Sequence, residues 1–158
     1  MRAIRLAPVL LVVTLLAGAR GAAAQAAGPT LGGPRVTYNF DVEEAAIGGQ
    51  FIIPLNSRFD FYPSLDIFLP DDGSLFAINA DLRFHPAPRD AAQLYLGGGV
   101  NISRAAYRGR SNSDAGVNLF AGLEGRSGVI RPFGELRVIL SDGSSVQMAG
   151  GLNILLGR

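Results

Sequence analysis

Phe59, Phe61, Pro63, Leu65, Ile67 and Leu69 take every second position of one stretch, while Arg58, Asp60, Tyr62, Ser64, Asp66 and Phe68 fill the places between. A period of two is the mark of a β-strand with one apolar and one polar face. The next stretch repeats it, with Phe76, Ile78, Ala80, Leu82 and Phe84 set against Ala77, Asn79, Asp81, Arg83 and His85. The same test along the chain gives eight segments, at residues 35–41, 45–55, 58–69, 74–85, 92–103, 114–124, 129–140 and 145–156, and no helical period competes with them. All but the first run to about eleven or twelve residues, whereas ordinary strands average about five or six and a tilted strand crossing a bilayer needs roughly nine to eleven. Length therefore selects a membrane-spanning sheet, and the short spacers make consecutive strands antiparallel.

The ends of the chain follow a different logic. Arg2 and Arg5 precede an apolar run over residues 6–17, and Ala22, Ala23 and Ala24 then supply small residues before Gln25. This is the pattern of a signal peptide over residues 1–24, which implies export through the Sec pathway. Residues 25–34, rich in Gly, Ala and Pro, read as a disordered lead-in, and 35–158 as the barrel. Of the 14 basic residues, all Arg, removal of Arg2, Arg5 and Arg20 leaves 11 against 13 acids, a charge near −2. That balance provides no field for nucleic acid. The absence of Cys excludes disulfide scaffolds and thiolate metal sites, and no cofactor or metal motif is present.

Turn chemistry sets the registers. Asp72-Gly73 is a two-residue hairpin signal that would set Phe76 beside Leu69 and Arg83 beside Tyr62. A two-residue turn at Asp142-Gly143 would mix the faces of the last two strands, so a three-residue loop or a bulge is expected there.

Alternation alone leaves open which face points inward, and the polar face decides. It carries Gly48, Gln50, Asn79, Gly97, Gly99, Asn101, Gly116, Asn118, Gly151 and Asn153 together with acids and Arg, and the chain has no Lys. Forked Arg, short amides and Gly suit a crowded interior in which charges are paired and backbones pass closely. On the apolar face Phe51, Phe59 and Phe84 gather near one rim, with Tyr38 and Phe40 toward the other, as in an aromatic girdle. With the exported N-terminus in the periplasm, the first rim is periplasmic and residues 104–113 form the longest outer connection.

The pieces Ile47-Gly48-Gly49-Gln50, Leu94-Tyr95-Leu96-Gly97-Gly98-Gly99-Val100-Asn101, Pro132-Phe133-Gly134-Glu135-Leu136-Arg137 and Ala149-Gly150-Gly151-Leu152-Asn153 carry a resemblance. With them the chain resembles the small eight-stranded outer-membrane β-barrel family, of the OmpA/OmpX and opacity-like porin types. The resemblance implies an all-β, antiparallel up-and-down transmembrane barrel in the outer membrane of a diderm bacterium. It also implies outer-membrane lipid and lipopolysaccharide as surroundings, the barrel-assembly machinery as a partner in biogenesis, and a monomer.

Inside such a barrel the expected polar network is Arg58, Asp60, Asp66, Asp81, Arg83, Glu124, Arg131, Glu135 and Arg137, with Asp41 and Arg35 also projecting inward. Eight strands enclose a space that side chains can just fill, so a plugged structural or surface-interaction barrel is expected, with a narrow gated pore as the alternative. Arg104, Arg108 and Arg110, beside Tyr107, are candidates to hold lipopolysaccharide phosphates, since Arg forks match phosphate oxygens. His85, the one histidine, lies before Pro86 at a periplasmic turn and near Asp60 across the hairpin. No His-x-Ser pattern accompanies it, so no catalytic residue is expected. A soluble periplasmic barrel enclosing an apolar ligand is the rival from another class, and it requires the apolar face to point inward.

Overall fold

The computed structural model describes residues 28–69, 74–86, 92–107, 110–125 and 128–156; the expected signal peptide, Asp72-Gly73 and Arg108 lie outside them. Eight strands follow in order: β1 (Leu31–Asn39), β2 (Glu44–Pro54), β3 (Phe59–Phe68), β4 (Ser74–Phe84), β5 (Ala92–Tyr107), β6 (Arg110–Gly125), β7 (Ile130–Leu140) and β8 (Ser145–Leu155). Each pairs antiparallel with its neighbours in sequence, and β1 pairs with β8, so the sheet closes into an all-β, eight-stranded up-and-down barrel. Closure removes both free edges, which an apolar sheet in hydrocarbon requires.

The facing is inside out. Val36, Ile47, Leu65, Ile78, Leu82, Val100, Leu119, Leu136 and Met148 are exposed on the outer wall, whereas Arg35, Gln50, Asp66, Asn79, Asp81, Arg83, Asn118, Glu135 and Arg137 are buried in the lumen. A soluble barrel wrapped around an apolar ligand needs the reverse, and this arrangement overturns that rival. Phe59 and Phe84 pair across β3 and β4 with ring centroids 5.2 Å apart at one rim, and Tyr38 and Phe40 meet edge to face, also at 5.2 Å, at the other.

Four expectations are corrected. β1 begins at Leu31, so residues 31–34 of the expected lead-in are strand, with Leu31 buried at the lumen's end. The β3–β4 register is shifted by two residues, putting Arg83 opposite Asp60 and Phe76 opposite Ile67. The shift keeps both faces and brings opposite charges side by side, which a pairing with Tyr62 does not. Residues 104–107 and 110–113 of the expected outer connection are strand, because β5 and β6 continue as a long hairpin that pairs Arg104 with Ser113 and Tyr107 with Arg110. Asp41 lies in the β1–β2 turn instead of the lumen, where its Oδ2 accepts the Val146 N–H at 2.6 Å and ties that turn to the start of β8.

The last hairpin follows the parity argument. Arg137 faces Gln147 and Ile139 faces Ser145, like face to like face, but residues 140–144 lie between that last pair, so the connection is longer than the expected three-residue loop.

Candidate functional site

Period-two alternation sends one side chain in two from every strand into the lumen, where they form two connected clusters. The central cluster is organised by two guanidinium groups. Arg137 Nε and Nη2 donate to Glu135 Oε1 at 3.1 and 2.9 Å, and its Nη1 lies 2.8 Å from Asp81 Oδ2. Arg35 Nε lies 3.1 Å from Asp66 Oδ1, its Nη1 donates to the Tyr62 hydroxyl at 3.2 Å, and its Nη2 is 3.8 Å from Glu135. Thr37 Oγ1 donates to Asp66 at 2.9 Å. Above these charges sits a layer of amides. Asn118 Nδ2 donates to Asp81 Oδ1 and Asn79 Oδ1 at 2.8 and 2.9 Å, and Asn101 donates to the same Asn79 oxygen at 2.8 Å. Buried charges are costly unless paired and hydrogen-bonded, and here each carboxylate meets a cation, an amide or a hydroxyl.

The second cluster lies at the end where the chain enters β1. Arg83 Nη2 donates to Glu124 Oε2 at 2.9 Å, and the same oxygen accepts from Asn153 at 3.0 Å, whose own amide oxygen accepts from Gln50 at 2.8 Å. Arg83 Nε is 3.9 Å from Asp60 Oδ2, which lies 2.6 Å from His85 Nε2. Arg131 Nη1 is 3.9 Å from Glu124 Oε1. The His85–Asp60 contact is the one expected across the hairpin.

Between the clusters lie aromatic rings. The Arg83 guanidinium sits 3.9 Å above the Tyr95 ring and that of Arg137 4.7 Å from Phe120, a favourable use of the ring quadrupole. Tyr95 stands opposite Gly122 and Phe120 opposite Gly97, and in both places a Cβ on the glycine would collide with the ring. Only glycine lets these rings lie flat on the facing strand. Sequence reasoning named neither ring among the interior residues, because it singled out only polar and glycine positions on that face. The available signal was parity, because Tyr95 shares a face with Gly97 and Asn101, and Phe120 with Asn118 and Glu124.

Of the residues expected inside, Asp60, Asp66, Asp81, Arg83, Glu124, Arg131, Glu135 and Arg137 are brought together. Arg58 is not. It is exposed in the β2–β3 turn, where Asn56 Oδ1 accepts the N–H groups of Arg58 and Phe59 at 2.9 and 3.0 Å and closes the bend before β3 begins. Arg104 is exposed on the outer face of β5, and Arg110 opens β6. Among the described residues no cluster of metal-ligating side chains occurs.

No protein-family profile matches the sequence, and no curated protein matches it. Solved structures do. The N-terminal β-barrel domain of Pseudomonas aeruginosa OprF is similar with a TM-score of 0.66 at 14% identity, over 82% of this chain and 98% of that one. Neisserial surface protein A is similar with a TM-score of 0.60 at 11% identity, over 80% and 96%. Ail, the attachment invasion locus protein of Yersinia pestis, gives 0.55 at 14% identity, over 80% and 95%. The chain thus has the fold of the small eight-stranded outer-membrane barrels.

Proposed function

We propose that the protein is an outer-membrane β-barrel of a diderm bacterium, exported through the Sec pathway, with a structural or surface-interaction role and no enzymatic activity. The observation that carries this reading is the closed wall with apolar side chains outside and ion pairs inside. Such a wall is stable where hydrocarbon surrounds it. The similar structures include a surface protein and an attachment protein by name, which supports a role at the cell surface. The lumen is read as plugged, since eight strands leave room for little beyond side chains, and the protein as a monomer. Arg104, Arg108 and Arg110 are proposed to contact lipopolysaccharide phosphates around the tall β5–β6 hairpin.

Single-cysteine probes test the facing in intact outer-membrane vesicles. Leu65→Cys and Leu82→Cys are expected to resist a water-soluble maleimide and to be quenched by lipid-borne quenchers, whereas Glu43→Cys in the β1–β2 turn labels freely. Labelling of all three at similar rates, or recovery of the exported protein as a detergent-free soluble monomer, overturns the proposal.

A further inference from the structure

At the β1-entry end of the lumen, Leu31, Ile52 and Pro54 help enclose a cavity of about 60 Å³. Its polar lining comes from Asp60 on β3, Arg83 and His85 at the end of β4, Gln93 on β5, Glu124 on β6 and Arg131 on β7. The carboxylates there are engaged: Asp60 Oδ2 with His85 and Glu124 Oε2 with Arg83 and Asn153. The donors are not. Arg83 Nε and Nη1, Gln93 Nε2 and Arg131 Nε are buried and find no hydrogen-bond partner among the described residues. Arg83 and Gln93 are themselves only 1% and 4% exposed. Stacking on Tyr95 fixes the plane of the Arg83 guanidinium, so its free edge cannot swing away.

Buried polar groups in folded proteins almost always have partners, and what these four nitrogens lack is an acceptor. Arg83 and Arg131 balance Asp60 and Glu124, so the lining carries no net charge to hold a polyanion, and a single negative charge is the most that the free donors can offset. One ordered water needs roughly 10–15 Å³ of such space, so the cavity takes a guest of several heavy atoms at most. We propose that this cavity binds a small monovalent anion, a halide or a short carboxylate, held by Arg83, Gln93 and Arg131.

The test uses the folded barrel in neutral detergent micelles. Sodium chloride or sodium formate is titrated against sodium gluconate, an anion too bulky to enter, at constant ionic strength. Two readouts are followed, the thermal midpoint of heat-modifiable gel migration and the ³⁵Cl relaxation linewidth. Saturable stabilisation by chloride and formate but not gluconate is expected, with formate narrowing the chloride line by competition. Arg131→Gln and Gln93→Leu should each weaken the apparent affinity by about tenfold, the loss of one charge-assisted hydrogen bond. Gln93→Glu, which supplies a tethered carboxylate, should abolish the response. An equal or non-saturating response to all three anions overturns the proposal and leaves the donors to water. Saturation unchanged in both Arg131→Gln and Gln93→Leu overturns it as well, and the linewidth titration of the unmodified protein decides the matter even if a variant fails to fold.

Discussion

Arg137 and Arg83 are both 1% exposed, and each has two carboxylates and at least one aromatic ring around it, yet they are served differently. Arg137, at the centre of the lumen, has all three nitrogens within 3.1 Å of a carboxylate oxygen. Arg83, toward the β1-entry end, has one such contact, at 2.9 Å, with Asp60 at 3.9 Å. The centre is knitted by short cross-strand pairs, and the end retains donors that face a cavity. Position along the barrel, and not residue type, decides whether an internal Arg is a structural tie or an available binding group.

Removal of each guanidinium measures that difference. Arg137→Leu removes three short contacts, leaving buried Asp81 with an amide in place of its cation and Glu135 with Tyr95 and a distant Arg35, and breaking a buried pair in this way costs about 3 to 5 kcal/mol. Arg83→Leu removes one short contact, to a Glu124 oxygen that keeps Asn153, and should cost roughly 1.5 to 3 kcal/mol, the range for a hydrogen bond to a charged group. Urea unfolding in lipid vesicles compares the two. An equal or larger loss for Arg83→Leu breaks the contrast.

Leu65 and Asp66 are consecutive yet face opposite media, the first 42% exposed on the outer wall and the second 1% exposed inside. Leu65→Arg places a charge against hydrocarbon at mid-depth and should cost about 2 to 4 kcal/mol in the same unfolding experiment. A loss below about 1 kcal/mol, the value near an interface, would move Leu65 to the rim and shift the whole apolar band.

How much of this was legible in the sequence follows from the same two media. In the proposed membrane setting, with hydrocarbon outside and a polar lumen inside, alternation is enforced residue by residue, and the central parts of all eight strands could be read. Above the lipid band neither face meets hydrocarbon, so the upper β5–β6 hairpin loses its period while its backbone pairing continues. Arg-Ala-Ala-Tyr at 104–107 therefore reads as loop. Membership of the inner face was largely legible from parity: of the nine network residues it put inside, eight are there, and of Arg35 and Asp41 only Arg35 is. Arg58 failed because Asn56 caps a turn that ends the alternation just before Phe59. Who pairs with whom was not legible, because it depends on register, and one misjudged hairpin moved Arg83 from Tyr62 to Asp60.

The smallest effects separate the glycines of the two walls. Gly97 faces inward beneath the Phe120 ring, and its Cβ would also meet the Leu82 carbonyl oxygen at 2.5 Å. Gly97→Ala overfills that contact and should cost about 1 to 3 kcal/mol, with loss of the near-ultraviolet signal of the packed rings. Gly134 faces outward opposite Leu123 and Gly150, and nothing lies within 4 Å of an added Cβ. There the added methyl meets only lipid, while the unfolded chain loses freedom that glycine alone enjoys. Gly134→Ala should therefore stabilise the barrel by roughly 0.5 to 1 kcal/mol. If it destabilises instead, the outer surface at β7 is in contact with something more ordered than acyl chains, and the division into a packed interior and a fluid-facing exterior fails at that strand.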